Sequence, residues 1–175
     1  MFFDLLDNFI LSTFNYYMYD LIIIGGGPAG VAAGIYAARK RIKTALVTKD
    51  IGGQSVNSAL IENFIGYKAL SGFDFARTLE DHLRAQEHID IMLGKTVEGI
   101  RVIEGGYQVL IQGGDTLTAK NILFTLGSSY KKLGVSGEKE YEGKGVFYCS
   151  ICDAPLMKGK DVVVVGGGNS GLEAV

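Results

Sequence analysis

The stretch Asp20-Leu21-Ile22-Ile23-Ile24-Gly25-Gly26-Gly27-Pro28-Ala29-Gly30 decides the fold. A short unbroken apolar run that ends in glycine reads as a strand covered on both faces, the pattern of a parallel sheet. Pro28 suits the first position of a helix, where a missing N–H is not needed, and the Ala-rich segment from Pro28 to Lys40 continues it. Ile42 to Thr48 repeats the strand pattern. Strand, glycine turn, helix, strand is a βαβ unit, with an expected right-handed crossover. The expected class is α/β, a three-layer Rossmann-like domain.

Beyond this unit, Gly52 to Ser71 reads as irregular and Phe73 to Gln86 as a helix whose spacing nominates Phe73, Phe75, Leu79 and Leu83 for the core. From Ile89 to Leu123, short alternating runs are broken by Gly105-Gly106 and by Gly113-Gly114-Asp115. Those breaks are hairpin signals and predict an inserted β-meander. Asn121 to Thr125 reads as one more buried strand, closed by Gly127. Ser128 to Gly145 is polar and mixed in charge, which places a boundary between a first domain at 18–130 and the start of a second at 131–175. Asp161 to Val165 and the glycines after it restart the strand–glycine–helix pattern, although one strand cannot complete a parallel sheet.

Met1 to Tyr17 is aromatic and apolar, carries Asp4 and Asp7, and has no Lys or Arg. It lacks the positive region and cleavage site of a secretory signal, and it is too short and interrupted for a membrane span. A short accessory helix and an upstream start are the two readings, and the second is favoured, with the chain beginning at Met18. The 175 residues are 47% hydrophobic and 21% charged with a net charge of −2, which is ordinary for a globular domain and gives no reason to expect nucleic acid. The basic cluster Arg39, Lys40, Arg41 and Lys43 falls at a helix end, where cations suit the dipole. Glycine is the outlier at 25 residues against two prolines. Such a bias calls for close backbone approaches and tight turns.

Gly25, Gly27 and Gly30 form GxGxxG between a strand and a helix. The first glycine makes the turn, the second lets the backbone approach a pyrophosphate, and the third lets helix and strand pack closely. An acidic residue is expected about 20 residues further on to hold a ribose hydroxyl. Asp50 is near that place, but Lys49 occupies the strand-end position. Gly166, Gly168 and Gly171 form a second GxGxxG after Val162 to Val165. Two copies separated by a meander point to two dinucleotides bound by two domains.

Cys149 and Cys152 are the only cysteines, spaced CxxC and followed by Asp153. That spacing lets the sulfurs form and break a disulfide locally, and such motifs often depress a thiol pKa. A neighbouring carboxyl can carry the proton that exchange releases or consumes. Zinc would require about four ligands, and the remaining candidates, His82 and His88, fall on different faces of one helix, so no metal is expected. A static disulfide closing so small a loop would restrict the unfolded chain little. An inert thiol pair is the remaining alternative, and the position between two dinucleotide motifs favours redox chemistry over it.

Five segments in order, Gly25-Gly26-Gly27-Pro28-Ala29-Gly30, Gly52-Gly53-Gln54, Ile61-Glu62-Asn63-Phe64-Ile65-Gly66, Cys149-Ser150-Ile151-Cys152-Asp153 and Gly166-Gly167-Gly168-Asn169-Ser170, resemble bacterial and archaeal thioredoxin reductases. The flavoprotein component of alkyl hydroperoxide reductase is similar over the same stretch. Thr125-Leu126-Gly127 departs from the family's Ala-Thr-Gly. The resemblance implies that the first glycine motif binds the ADP part of FAD and that Gly52, Gly53, Gln54 and Asn63 line the flavin. It implies that Gly166, Gly168, Asn169, Ser170 and Gly171 begin an NADPH domain, with NADH as the other candidate. Electrons would pass from NADPH to FAD, to the CxxC disulfide, and on to thioredoxin or a similar protein disulfide. Cys152 would face the flavin, Cys149 attack the acceptor, and Asp153 act as acid and base. The lack of a signal and of a membrane segment, together with a cysteine pair suited to cycling, gives a cytoplasmic address as the expectation. A homodimer is expected at full length, and the 175 residues alone are expected to hold FAD poorly and to be inactive. A peroxide-system reductase and a non-catalytic fragment are the alternatives.

Overall fold

The computed structural model describes residues 18–175, apart from the side chains at 151, 152, 154 and 155. The expectations for residues 1–17 lie outside the described residues. The chain divides into two compact units, Met1–Gly127 and Ser128–Val175.

In the first unit β1 (Tyr19–Ile24) runs into helix α1 (Pro28–Arg39) and returns as β2 (Thr44–Thr48). A 3₁₀ turn (Gly53–Asn57) leads to α2 (Gly72–Arg84), followed by β3 (Ile89–Leu93), β4 (Val97–Ile103), β5 (Gly106–Ile111) and β6 (Thr116–Phe124). These strands make one sheet in the order β3-β2-β1-β6-β5-β4. The first four in that order are parallel, and β5 and β4 continue antiparallel from β6. The α/β class expected from the opening motif is therefore the observed one.

The side-chain period of two in a strand sorts the core into two layers. Ile23 and Leu46 pack with Val31, Ile35 and Leu83 on the helix side. Ile22, Ile24, Ala45 and Val47 meet Val109, Ile111 and Ala119, so the meander covers the other face. Ile22, Ile23, Leu46 and Leu83 are fully buried, and removing each such side chain from water contributes about 1.5–3 kcal/mol.

Four expectations need correction. Phe73 is 68% exposed, whereas Phe75 and Leu83 are buried and Leu79 packs at the margin. Ser71 caps α2 by accepting the Asp74 amide. Residues two apart on a helix point to different sides, and here position 75 turns inward with its ring 4.6 Å from that of Phe64 while position 73 faces water. Ile42 lies before β2, which begins at Thr44. The meander strand and the supposed extra strand from Asn121 are one element, β6. Its first half pairs antiparallel with β5 and its second half parallel with β1, meeting at Ala119. Leu123 and Phe124 are exposed, so its far end is not buried. Finally, Asp161–Val165 forms no strand, and its four valines are exposed. A strand needs a ladder partner, and none of the described residues supplies one.

In the second unit, one-turn helices α3 (Glu138–Tyr141) and α4 (Ser150–Asp153) precede a 3₁₀ turn (Ala154–Met157) and α5 (Asn169–Glu173). Among the described residues no helix is long and apolar enough to cross a membrane.

Candidate functional site

Strand order reverses at β1: the chain goes from β1 to β2 and β3 on one side, then to β6 on the other. In open parallel sheets the crevice at the carboxyl ends of strands flanking such a reversal is where ligands bind. Three loops gather there. Gly25 turns the chain at φ 112°, and its amide binds the Val47 carbonyl at 2.9 Å. The Gly52 amide binds the Gly26 carbonyl at 2.9 Å, and Gly53 lies so close that a Cβ on it would stand 3.3 Å from the Gly27 Cα. From β6, the Thr125 hydroxyl lies 3.0 Å from the Ile24 carbonyl and 2.9 Å from that of Gly25. The Thr48 hydroxyl donates to the Asp50 carbonyl at 2.7 Å and fixes the turn after β2.

The loop glycines differ in what surrounds them. A Cβ on Gly30 would come within 1.9 Å of the Gly25 carbonyl, and one on Gly26 within 2.5 Å of the Asp50 carbonyl, whereas one on Gly27 would meet nothing within 4 Å. Gly25, Gly26 and Gly30 are therefore committed to internal packing, and the backbone at Gly27 is the open side. Helix α1 starts there with Pro28, has no side-chain cap and has no acidic residue in its first turn. Its N-terminal N–H groups and dipole are left to favour an anion. This cradle fits a dinucleotide pyrophosphate.

The other residues nominated from sequence sit as follows. Ala29 is exposed in the first turn of α1. Lys49 and Asp50 are exposed, directly after β2. Gln54 is exposed in the 3₁₀ turn. Asn63 is exposed on a loop closed by paired hydrogen bonds between Ile61 and Leu70 and anchored by the Phe64 ring, 4.6 Å from that of Phe75. Gly127 is exposed at φ 66°. Sequence reading did not nominate Gly26, Thr48 or Thr125 as site residues. The last two are hydroxyls at strand ends, a position that could have drawn notice.

In the second unit the same loop geometry recurs. Gly166 has φ 122°, and a Cβ on Gly171 would lie 2.2 Å from its carbonyl. The Leu172 amide binds the Gly168 carbonyl at 3.0 Å, as the Val31 amide binds that of Gly27 at 3.0 Å. Asn169 and Ser170 are exposed at the start of α5. The turn is thus encoded by its glycines and forms without a paired strand.

Cys149 is disulfide-bonded, and the chain holds one other cysteine, Cys152, whose side chain lies outside the described residues. The Cys149 carbonyl accepts the Asp153 amide at 2.9 Å, the bond that closes α4, and Asp153 is half-buried. Just before this helix, the Tyr148 hydroxyl donates to Glu138, which also accepts the amides of Leu133 at 2.7 Å and Gly134 at 2.6 Å. The Tyr148 bond and the two amides hold the Glu138 carboxyl below its ordinary range, against the opposing effect of burial. The same hydrogen bond, reinforced by burial, pushes Tyr148 up to about 12.

Residues 19–175 match the family described as pyridine nucleotide-disulphide oxidoreductase. A component of alkyl hydroperoxide reductase from Pseudomonas putida is 46% identical over 158 residues, covering 89% of this chain and 30% of that protein. A protein named NADH dehydrogenase from Bacillus subtilis is 41% identical over 156 residues, with the same coverages of 89% and 30%. Among solved structures, the thioredoxin reductase of T. acidophilum aligns with a TM-score of 0.66 and 41% identity, over 89% of this chain and 51% of that one. That of Streptococcus pyogenes aligns with a TM-score of 0.75 and 36% identity, over 90% and 51%. The chain thus spans about 30% of the length of these curated relatives and about half of the solved chains. The resemblance read from the ordered motifs agrees with these matches. A parallel sheet that turns on a glycine cradle, a second glycine loop of the same geometry and a bonded cysteine at a helix start all lie within the matched span, and the chain belongs to the pyridine nucleotide-disulphide oxidoreductase family.

Proposed function

We propose that this chain carries the disulfide-exchange centre and the dinucleotide cradle of a reductase that passes electrons from NADPH to thioredoxin or a similar protein disulfide. The observation that carries the reading is the disulfide-bonded Cys149 at the start of α4, in a chain that also holds two glycine loops of matching geometry. The open backbone at Gly27 and the uncapped start of α1 hold the pyrophosphate of FAD, with Lys49 and Asp50 toward its ribose and Gly52, Gly53, Gln54, Asn63 and Gly127 toward the flavin. When bound, FAD supplies the two-electron relay between the nicotinamide and the disulfide. Gly166, Gly168, Asn169, Ser170 and Gly171 serve the nicotinamide dinucleotide.

In the exchange itself the reduced Cys149 thiolate attacks one sulfur of the acceptor, forming a mixed disulfide and releasing the acceptor's other sulfur as a thiolate. Cys152 then attacks Cys149, closes the internal disulfide and frees the second acceptor thiol. Asp153 receives and returns the proton that each thiolate step displaces. A thiol pair that cycles in this way suits a reducing compartment, which supports a cytoplasmic address, and the family resemblance supports a homodimer. The relatives named for alkyl hydroperoxide reductase favour a second reading, in which the acceptor belongs to a peroxide-reducing system.

The test is chemical trapping. The chain with Cys152→Ser, reduced by a dithiol and mixed with oxidised thioredoxin, should accumulate a mixed disulfide through Cys149 that mass spectrometry detects. Absence of that adduct, together with unchanged acceptor reduction by Cys149→Ser, overturns the reading.

A further inference from the structure

Glu138 is the one charged side chain that is buried among the described residues. Both of its oxygens are engaged, by the Leu133 and Gly134 amides and by the hydroxyl of Tyr148, the residue that precedes Cys149. Other groups close on the same ring. Lys132 Nζ stands 4.0 Å from its centroid, and Tyr130 stacks on it at 5.8 Å with 21° between planes. Lys132 also pairs with Glu142. The intervening chain is tied back by the Val146 amide to the Tyr141 carbonyl at 2.9 Å and by the Gly143 amide to the Val146 carbonyl at 3.0 Å. The backbone that enters Cys149 is therefore clamped through one phenol, and the clamp's anchor is a carboxylate ten residues upstream.

We propose that Glu138, acting through Tyr148, is a positioning residue that holds the Cys149 segment in its disulfide-forming arrangement and so sets the reduction equilibrium of that disulfide. The inference rests on the exchange reading above. A clamped segment keeps one sulfur at high effective concentration near the other, because the ordering entropy of the loop has already been met. Reduction by a dithiol oxidises that reagent to its disulfide and delivers two electrons and two protons, leaving two thiols on the protein. Releasing the clamp frees the reduced state more than the oxidised one and favours the thiols.

The full chain is equilibrated at neutral pH in mixtures of reduced and oxidised dithiothreitol, and the reduced fraction is read by alkylation and mass. Tyr148→Phe keeps the ring, its stack and its cation contact and deletes only the hydroxyl. It should shift the equilibrium at least threefold toward the thiols. A tenfold shift would correspond to about 30 mV. Glu138→Gln should shift it in the same direction, and the double variant should do no more than the larger single one, because both break one clamp. Lys139→Ala, on the exposed side of α3, should leave it unmoved. A folded Tyr148→Phe chain with an unchanged equilibrium overturns the proposal. Failure of both variants to fold overturns it as well, since Glu138 would then hold the unit together rather than tune the disulfide. If wild-type Cys149 shows no reversible titration, the exchange reading itself falls and the proposal with it, an outcome distinct from an unmoved midpoint.

Discussion

The carbonyl oxygen of Gly25 stands 1.9 Å from the point that a Cβ on Gly30 would occupy. The third glycine of the first loop is thus required by the contact of β1 with α1 before any ligand arrives. Gly30→Ala should destabilise the chain by about 3 kcal/mol, because the blocking atom is backbone and cannot rotate away. Gly27→Ala faces open space at an ordinary φ of −68°. It should change the stability of the chain by less than about 1 kcal/mol while weakening FAD binding by the full-length protein tenfold or more. Urea midpoints and a flavin fluorescence titration separate the two effects, and equal losses of stability would contradict the assignment.

The inner and outer faces of α2 give a contrast. Leu83 is fully buried and Phe73 is 68% exposed. Leu83→Ala should cost about 2–5 kcal/mol through lost burial and the cavity left behind, and Phe73→Ala should stay within about 0.5 kcal/mol. Denaturant unfolding of both variants provides the check.

The Thr125 hydroxyl bridges the end of β6 to the Gly25 turn. Thr125→Val keeps the shape and removes the donor. A loss of about 1 kcal/mol is expected, with faster amide exchange at Gly25 than in the wild type. An unaltered exchange rate there would show that the bridge contributes nothing to the turn.

The Glu138–Tyr148 bond gives stability a pH dependence of opposite sign at its two ends. The folded chain holds the Tyr148 proton up to about 12, against an ordinary 10.0. That contribution is full below pH 10.0 and is lost as pH rises toward about 12. The folded Glu138 carboxyl lies below its ordinary 4.5, so its contribution is full above that pH and is lost as pH falls through the lowered value. Tyr148→Phe should flatten the alkaline shoulder of a plot of urea midpoint against pH, and Glu138→Gln the acid one. Tyrosinate absorbance should also lose a late-titrating contribution in Tyr148→Phe.

Local sequence carried the first βαβ unit well, because the glycine turn, Pro28 and the apolar runs each impose a backbone geometry without help from distant residues. The second glycine loop makes the same point, since it forms while Asp161–Val165 stays unpaired. What depended on distant partners was read less well. The two roles of β6 could not be told from its own residues, which look like a hairpin strand followed by a core strand. Phe73 and Phe75 are equally apolar, and it is a partner from a distant loop, Phe64, that receives the one that turns inward. Glu138 gave no signal at all: it sits in a polar stretch, and its burial comes from folding of that stretch onto Tyr148.

Because Ala119 is opposite Tyr19 on one side and Tyr107 on the other, a single strand keeps time for both halves of the sheet. An insertion of one residue at Ala119 would put the half of β6 that faces β5 out of phase with the half that faces β1, whereas added length at the Gly113-Gly114 tip would be absorbed in solvent. Variation in chain length among homologues should accordingly collect at that tip and spare the shared strand.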